Sequence, residues 1–213
     1  MSKIGLQLGL CILLLAGLGG CAFGNHQQYA GVVPDLHVAG ERSVAVAVID
    51  NRPYVVSGDK NPDFVGIQRA GFGNPFDVGT ESKKPLASDI ADNIVAGLKR
   101  RGLKPEALAV KPGTSSEVAL QATTAAGKER AVILELREWK SDTYTNTALK
   151  YDVELKVCDA TGHPLASVSK HGEDDLGGDF MDPPGHAKDA VPAALKAILE
   201  NMLNAPAVVA ALQ

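Results

Sequence analysis

The chain predicts an α+β fold: a mixed β-sheet with helices packed on it, after a cleaved lipoprotein signal peptide and a flexible tether. Three observations carry this. Val44-Ala45-Val46-Ala47-Val48-Ile49 is a near-continuous apolar run, the pattern of a central strand covered on both faces. Leu86, Ile90, Ile94 and Leu98 recur every four residues and make one apolar helix face. Leu149, Tyr151, Val153, Leu155 and Val157 alternate with charged residues, Asp159-Ala160-Thr161-Gly162 supplies a turn, and His163 to Lys170 returns as an antiparallel partner.

At the N-terminus, Lys3 precedes an apolar run from Ile4 to Leu18, broken by Gln7, and Leu18-Gly19-Gly20-Cys21 closes it. A short apolar segment ending in small residues is the layout of a secretory signal. Small residues leading directly into a cysteine resemble the lipobox of bacterial lipoproteins, whose cysteine is acylated and becomes the first residue after cleavage. Two other readings stay open: an uncleaved membrane helix, and an ordinary secretory peptide with an incidental cysteine. A span needs about 20 apolar residues; this run is shorter, and Gly17, Gly19 and Gly20 weaken its end as a helix. Ala22 resembles the residue that follows the acylated cysteine in outer-membrane sorting. The expected division is residues 1–20 signal peptide, 21–43 acylated Cys21 and tether, and 44–213 a single α+β domain.

Removing residues 1–20 from the 213-residue chain leaves 193, and the net charge of −4 becomes −5 as Lys3 departs. A modestly acidic chain without basic blocks is a poor nucleic-acid binder and lacks a polybasic attraction to anionic headgroups. The expected partners are therefore the membrane, through the lipid on Cys21, and another envelope protein. Cys11 leaves with the signal and Cys21 takes the lipid, so Cys158 remains as a lone thiol without a disulfide framework.

Residues 22–43 carry Gly24, Gly31, Pro34 and Gly40 without periodicity, and a flexible stretch of that length spans roughly 25 Å. The first strand ends at Asp50-Asn51-Arg52-Pro53. A glycine- and aromatic-rich insert follows from Tyr54 to Lys84, with a hairpin of Phe64–Arg69 and Pro75–Thr80 around Ala70-Gly71-Phe72-Gly73-Asn74. The helix after Pro85 ends in Lys99-Arg100-Arg101, which complements the C-terminal dipole, and Gly102 suits the left-handed cap. Leu103 to Val110 predicts a strand. Thr114-Ser115-Ser116-Glu117 matches a capping box opening a second helix that ends near Gly127. Ala131 to Trp139 predicts a strand with Val132, Leu134 and Leu136 inward. Trp139 falls out of that register, which places it on the second face, in an exposed patch or under a loop. An acidic loop from His171 to Gly185 precedes a last helix at Ala187 to Leu203, with Pro192 in its first turn or kinking it, and Pro206 ends it.

With these elements the chain resembles the YajG-type outer-membrane lipoproteins. The resemblance lies in the lipobox, the strand ending Val48-Ile49-Asp50-Asn51-Arg52, and the helix ending Leu98-Lys99-Arg100-Arg101-Gly102. It continues through Val132-Ile133-Leu134-Glu135-Leu136, the turn at Asp159-Ala160-Thr161-Gly162 and the closing helix. That family is largely uncharacterised, so the resemblance implies topology and location and leaves activity open.

Asp50 and Arg52 follow the first parallel strand, at the end where open α/β sheets bind ligands. With Arg69 and the aromatics Tyr54 and Phe72 they are the candidate binding residues, lining a groove; the alternative is an Asp–Arg pair that pins a loop. Gly71-Phe72-Gly73 lacks the further glycine and Lys-Ser/Thr pair of a phosphate loop and reads as a turn. His171, Glu173, Asp174, Asp175, Asp179, Asp182 and His186 gather hard-cation ligand types, without EF-hand or zinc-peptidase spacing. No Gly-x-Ser-x-Gly elbow occurs, and Cys158 has no sequence-level base. The chain therefore predicts no catalytic residue, no metal and no cofactor. The expected protein is a lipid-anchored, periplasm-facing outer-membrane lipoprotein, a non-catalytic binding or assembly module. The alternatives are an envelope enzyme acting on peptidoglycan or lipid, and a carrier of an apolar ligand.

Overall fold

The computed structural model describes residues 25–213. The signal peptide predicted over residues 1–20 and Cys21 of the predicted lipobox lie outside them. Among the described residues, eight strands form one mixed sheet flanked by helices. The strands are β1 (Asn25–Gln27), β2 (Ser43–Asp50), β3 (Phe64–Arg69), β4 (Pro75–Thr80), β5 (Lys104–Leu108), β6 (Arg130–Thr143), β7 (Asn146–Asp159) and β8 (Pro164–Gly178). The helices are α1 (Pro53–Val56), α2 (Leu86–Arg100), α3 (Ser116–Ala125), α4 (Pro183–Leu203) and α5 (Pro206–Leu212).

β2 lies between β5 and β6 and is parallel to both. Its alternate residues enter two cores. Val44, Val46 and Val48 join the large core beneath α2, α4 and α5, whereas Ala47 and Ile49 meet Ala119 and Ile133 beneath α3. Cover on both faces is why the strand reads as an unbroken apolar run. The predicted stripe of α2 is the core: Leu86, Ile90, Ile94 and Leu98 are fully buried. Gly102 takes a φ of +91° behind the helix, a value that favours glycine. The hairpin expected at 64–69 and 75–80 forms with those bounds.

Several expectations change. The tether predicted over residues 21–43 does not hold for 25–42. β1 pairs with β4, and Tyr29, Leu36 and Val38 are buried, so this segment is a strap on the domain, which includes residues 25–42 as well as 44–213. Apolar residues spaced among glycines and polar ones gave no period, because the strap packs in an irregular path. Polar contacts fix it: Asn93 bonds Gly31 N–H and the Tyr29 carbonyl, Glu200 accepts from Asp35 N–H, and Asn204 accepts from His37 N–H.

The capping residue of α3 is Ser115, whose hydroxyl accepts from Val118 N–H, rather than Thr114 paired with Glu117. Most of the acidic loop predicted at 171–185 is strand, since β8 runs to Gly178 along β7. Its charges hid it: Glu173, Asp174 and Asp175 are exposed on the strand, and Glu173 meets Lys150 across the pair. α4 accordingly starts at Pro183, with Asp182 accepting from Gly185 N–H, and Pro192 lies inside the helix rather than in its first turn. Trp139 belongs to the main core. A register shift between Leu136 and Glu138 resets the alternation, so Trp139, Ser141 and Thr143 turn inward after the bulge.

Candidate functional site

One edge of β6 is shared by two strands. β2 pairs with residues 130–136 and β3 with 141–143, which leaves the segment around the bulge without a strand on that side. Asp50 and Arg52 sit in this gap, 2 % and 0 % exposed. The Arg52 guanidinium makes a two-pronged pair with Asp50, Nε to Oδ1 at 2.8 Å and Nη2 to Oδ2 at 2.7 Å. Its remaining N–H groups donate to the carbonyls of Phe64, Trp139 and Pro62. Arg52 thus serves the backbone acceptors that a continuous strand would have served. Burial opposes the charge, but the bonded Asp50 carboxylate outweighs it and holds the guanidinium above its ordinary range.

Tyr54, on α1, closes this junction. Its hydroxyl lies 2.6 Å from Glu138 Oε1 and 2.9 Å from the Trp139 carbonyl, while its ring stacks edge-on against Phe64 at 5.4 Å. Burial, then the bond to Glu138, pushes its phenol well above the ordinary range. Asp50, Arg52 and Tyr54 therefore meet as predicted, but as a buried clamp joining two parts of the sheet. They do not form an open groove.

Arg69 and Phe72 lie elsewhere. Arg69 ends β3, five residues and roughly 16 Å beyond Phe64, where it forks onto Asp142 at 2.7 and 2.6 Å. Phe72 stands at the β3–β4 tip and is 99 % exposed. The grouping of five residues into one groove is thus corrected. β3 carries the chain from Phe64 at the clamp to Arg69 at its far end, and sequence proximity to the aromatic insert did not encode that separation.

Sequence reasoning missed what surrounds Phe72. Tyr144, at the β6–β7 turn, donates to the Gly71 carbonyl, and Asn146 pairs with Gly178 just before Phe180 and Met181. Three loop tips therefore neighbour one another. Phe180 and Met181 are 85 % and 86 % exposed, and the sequence signal that marks them is an aromatic and a methionine in an otherwise polar loop.

Cys158 is buried near α3, where burial raises its thiol above the ordinary range. It borders a hollow of about 170 Å³ with Leu120, Ile133 and Pro164. A second hollow of about 80 Å³ lies beside Asp50, Ala87 and Val110. Both fall below the roughly 300 Å³ at which small-molecule pockets begin. The residues of the acidic segment separate: Glu173 pairs with Lys150, Asp179 and Asp182 accept from backbone amides, and His186 bonds the Leu176 carbonyl. Among the described residues, no three His, Cys, Asp or Glu side chains converge as metal ligands.

No family model matches the chain, and no curated protein matches it. Among solved structures, it is similar to the protein XCC0632 of Xanthomonas campestris, from the family described as DUF330. That likeness has a TM-score of 0.51 and 14% identity, covering 86% of this chain and 96% of that one. A PelC dodecamer from Paraburkholderia phytofirmans aligns at a TM-score of 0.38 and 13% identity, over 81% of this chain and 94% of its own. The lipoprotein GNA1162 of Neisseria meningitidis aligns at 0.33 and 10% identity, over 75% and 96%. The Xanthomonas protein shares the fold, and at that identity the likeness concerns fold alone.

Proposed function

We propose that the protein is a lipoprotein of the bacterial cell envelope, of the YajG type. In this reading acylated Cys21 holds it to the periplasmic face of the outer membrane, and it acts as a non-catalytic binding or assembly module. The observation that carries the anchoring is Leu18-Gly19-Gly20-Cys21 at the end of a short apolar run, just ahead of a folded domain. The observation that favours binding is β8, fifteen residues long and, among the described residues, paired on one side only, by β7. Long one-sided strands offer backbone donors and acceptors to an added strand. The charged groups that the fold gathers are engaged in structural pairs, Asp50 with Arg52, Arg69 with Asp142, and Arg137 with Asp152 and Glu154, which supports binding over catalysis.

Growth with an alkyne-bearing palmitate analogue tests the anchor. Label should enter the wild-type chain, cofractionate with outer membrane and vanish in Cys21→Ala. A photoreactive residue at exposed Glu173 on β8 tests the module, with the same probe at exposed Glu106 on β5 as control. A discrete envelope-protein adduct from position 173 alone is expected. Equal or absent crosslinking at both positions overturns the β8 assignment.

A further inference from the structure

We propose that the three neighbouring loop tips form a second membrane contact, with Phe72, Phe180 and Met181 seated in the bilayer surface beside the lipid on Cys21. This rests on the reading of Cys21 as acylated.

Strand direction supplies the first argument. β3 and β6 are parallel, and their C-terminal ends lead into the tips at residues 70–74 and 144–145. β8 runs antiparallel to β7 and ends at the same place, with Gly178 opposite Asn146. β4 runs away from this end, and β1 is parallel to β4, so β1 begins nearest the tips. Asn25 lies opposite Val78, three residues and about 10 Å from the start of β4 at Pro75. Cys21 precedes Asn25 by four residues, which reach at most about 14 Å. Because residues 25–42 are strapped to the domain, no longer spacer is available. An acyl chain at Cys21 therefore brings this end of the sheet to the lipid, while the β7–β8 turn lies about 45 Å away along β6.

Exposure supplies the second. Among the described residues, the three most exposed large hydrophobic side chains are Phe72, Met181 and Phe180, and all stand on these tips; Phe76 and Tyr144 flank them. Exposed apolar clusters of this kind mark binding surfaces. The neighbouring charges are largely acidic, with Arg69 neutralised by Asp142 and with Asp175, Asp179 and Asp182 close by. That setting disfavours attraction to anionic headgroups. The contact is therefore apolar, of the shallow interfacial kind that reaches about 5–10 Å into the headgroup and acyl boundary.

The natural tryptophan, Trp139, is fully buried and gives a constant background for fluorescence. Full-length protein carrying Phe72→Trp, Phe180→Trp or, at the far end, Leu165→Trp would be reconstituted in phosphatidylcholine vesicles containing brominated acyl chains. Intact mass reports acylation of each sample. Quenching at positions 72 and 180 several-fold above that at 165 is expected. Acylated protein quenched equally at all three sites overturns the membrane contact and leaves the anchor standing. Chains without acyl mass overturn the anchor, and the contact with it.

Discussion

Arg52 shows how one side chain takes over the work of a missing strand. It pairs with Asp50 and supplies three carbonyls while fully buried. Removing one member of a buried pair leaves an uncompensated charge, which costs about 3–5 kcal/mol. Arg52→Ala should lower stability by that amount in urea denaturation, and Arg52→Lys should recover little, because an ammonium cannot fork onto Asp50 while reaching the carbonyls. Asp89 poses the opposite case. It is 1 % exposed, one carboxylate oxygen has no hydrogen-bond partner, and Ser82 bonds the other. Burial raises its proton affinity in the folded state, against the lesser pull of Ser82 and Lys84. Between the unfolded and the raised folded value the native state binds more protons, so this group adds stability as pH falls through that window. Asp89→Asn should equal or exceed wild type at pH 7 and lose that acid-side gain, as read from melting temperature against pH.

At the scale of elements, junctions rather than single strands set the tolerances. Gly66 lies at the irregularity in the β3–β4 pairing and faces Ser141 on β6 so closely that any Cβ would collide with that residue. Gly66→Ala should therefore cost about 1–3 kcal/mol as an overpacked contact, measured by the shift in denaturation midpoint. The β7–β8 turn is held by Asp159, whose carboxylate accepts from the Thr161 hydroxyl and from the amides of Thr161 and His163. Those bonds, led by the Thr161 hydroxyl, lower its pKa from 3.8 to about 2. A depressed acid stabilises above its unfolded value, and that contribution fades as pH drops from about 4 towards 2. The protection of the turn amides, taken relative to their intrinsic exchange rate at each pH, should fall over that range in wild type and be already low at pH 7 in Asp159→Ala.

For the molecule as a whole, the strap decides both stability and placement. Tyr29 is fully buried; its hydroxyl donates to Gln27 and accepts from Trp139 Nε1 at 2.8 Å, and its ring meets the indole edge-on at 6.3 Å. Tyr29→Ala should cost about 3–5 kcal/mol, the range for a large buried aromatic, with the whole domain still unfolding in one cooperative transition at lower denaturant rather than releasing a loose tail. A separate low-stability transition would mean that the strap folds independently of the sheet. Because the strap is part of the domain, an anchor on Cys21, as proposed above, would keep the domain close to it.

An unbroken apolar run carried the central strand, which is covered on both faces; periodicity carried the α2 stripe, the β7–β8 hairpin and the closing helix, because each shows one face to a core and repeats at 2.0 or 3.6 residues. The clamp was half legible: Asp50 and Arg52 were paired by proximity, but their acceptors come from residues 62, 64 and 139. Trp139 was misread because a bulge shifts parity without any local marker, and β8 was hidden because its exposed run Glu173-Asp174-Asp175 breaks the apolar alternation. The sequence by itself determined the cysteine motif, the α+β class and the part of the core that the periodic elements supply. Only the tertiary structure decided that the strap is part of the domain, that the Arg52 site is a buried clamp, and that Phe72, Phe180 and Met181 share one end. Those facts depend on strand direction and on contacts between distant residues, and no local pattern of side chains encodes either.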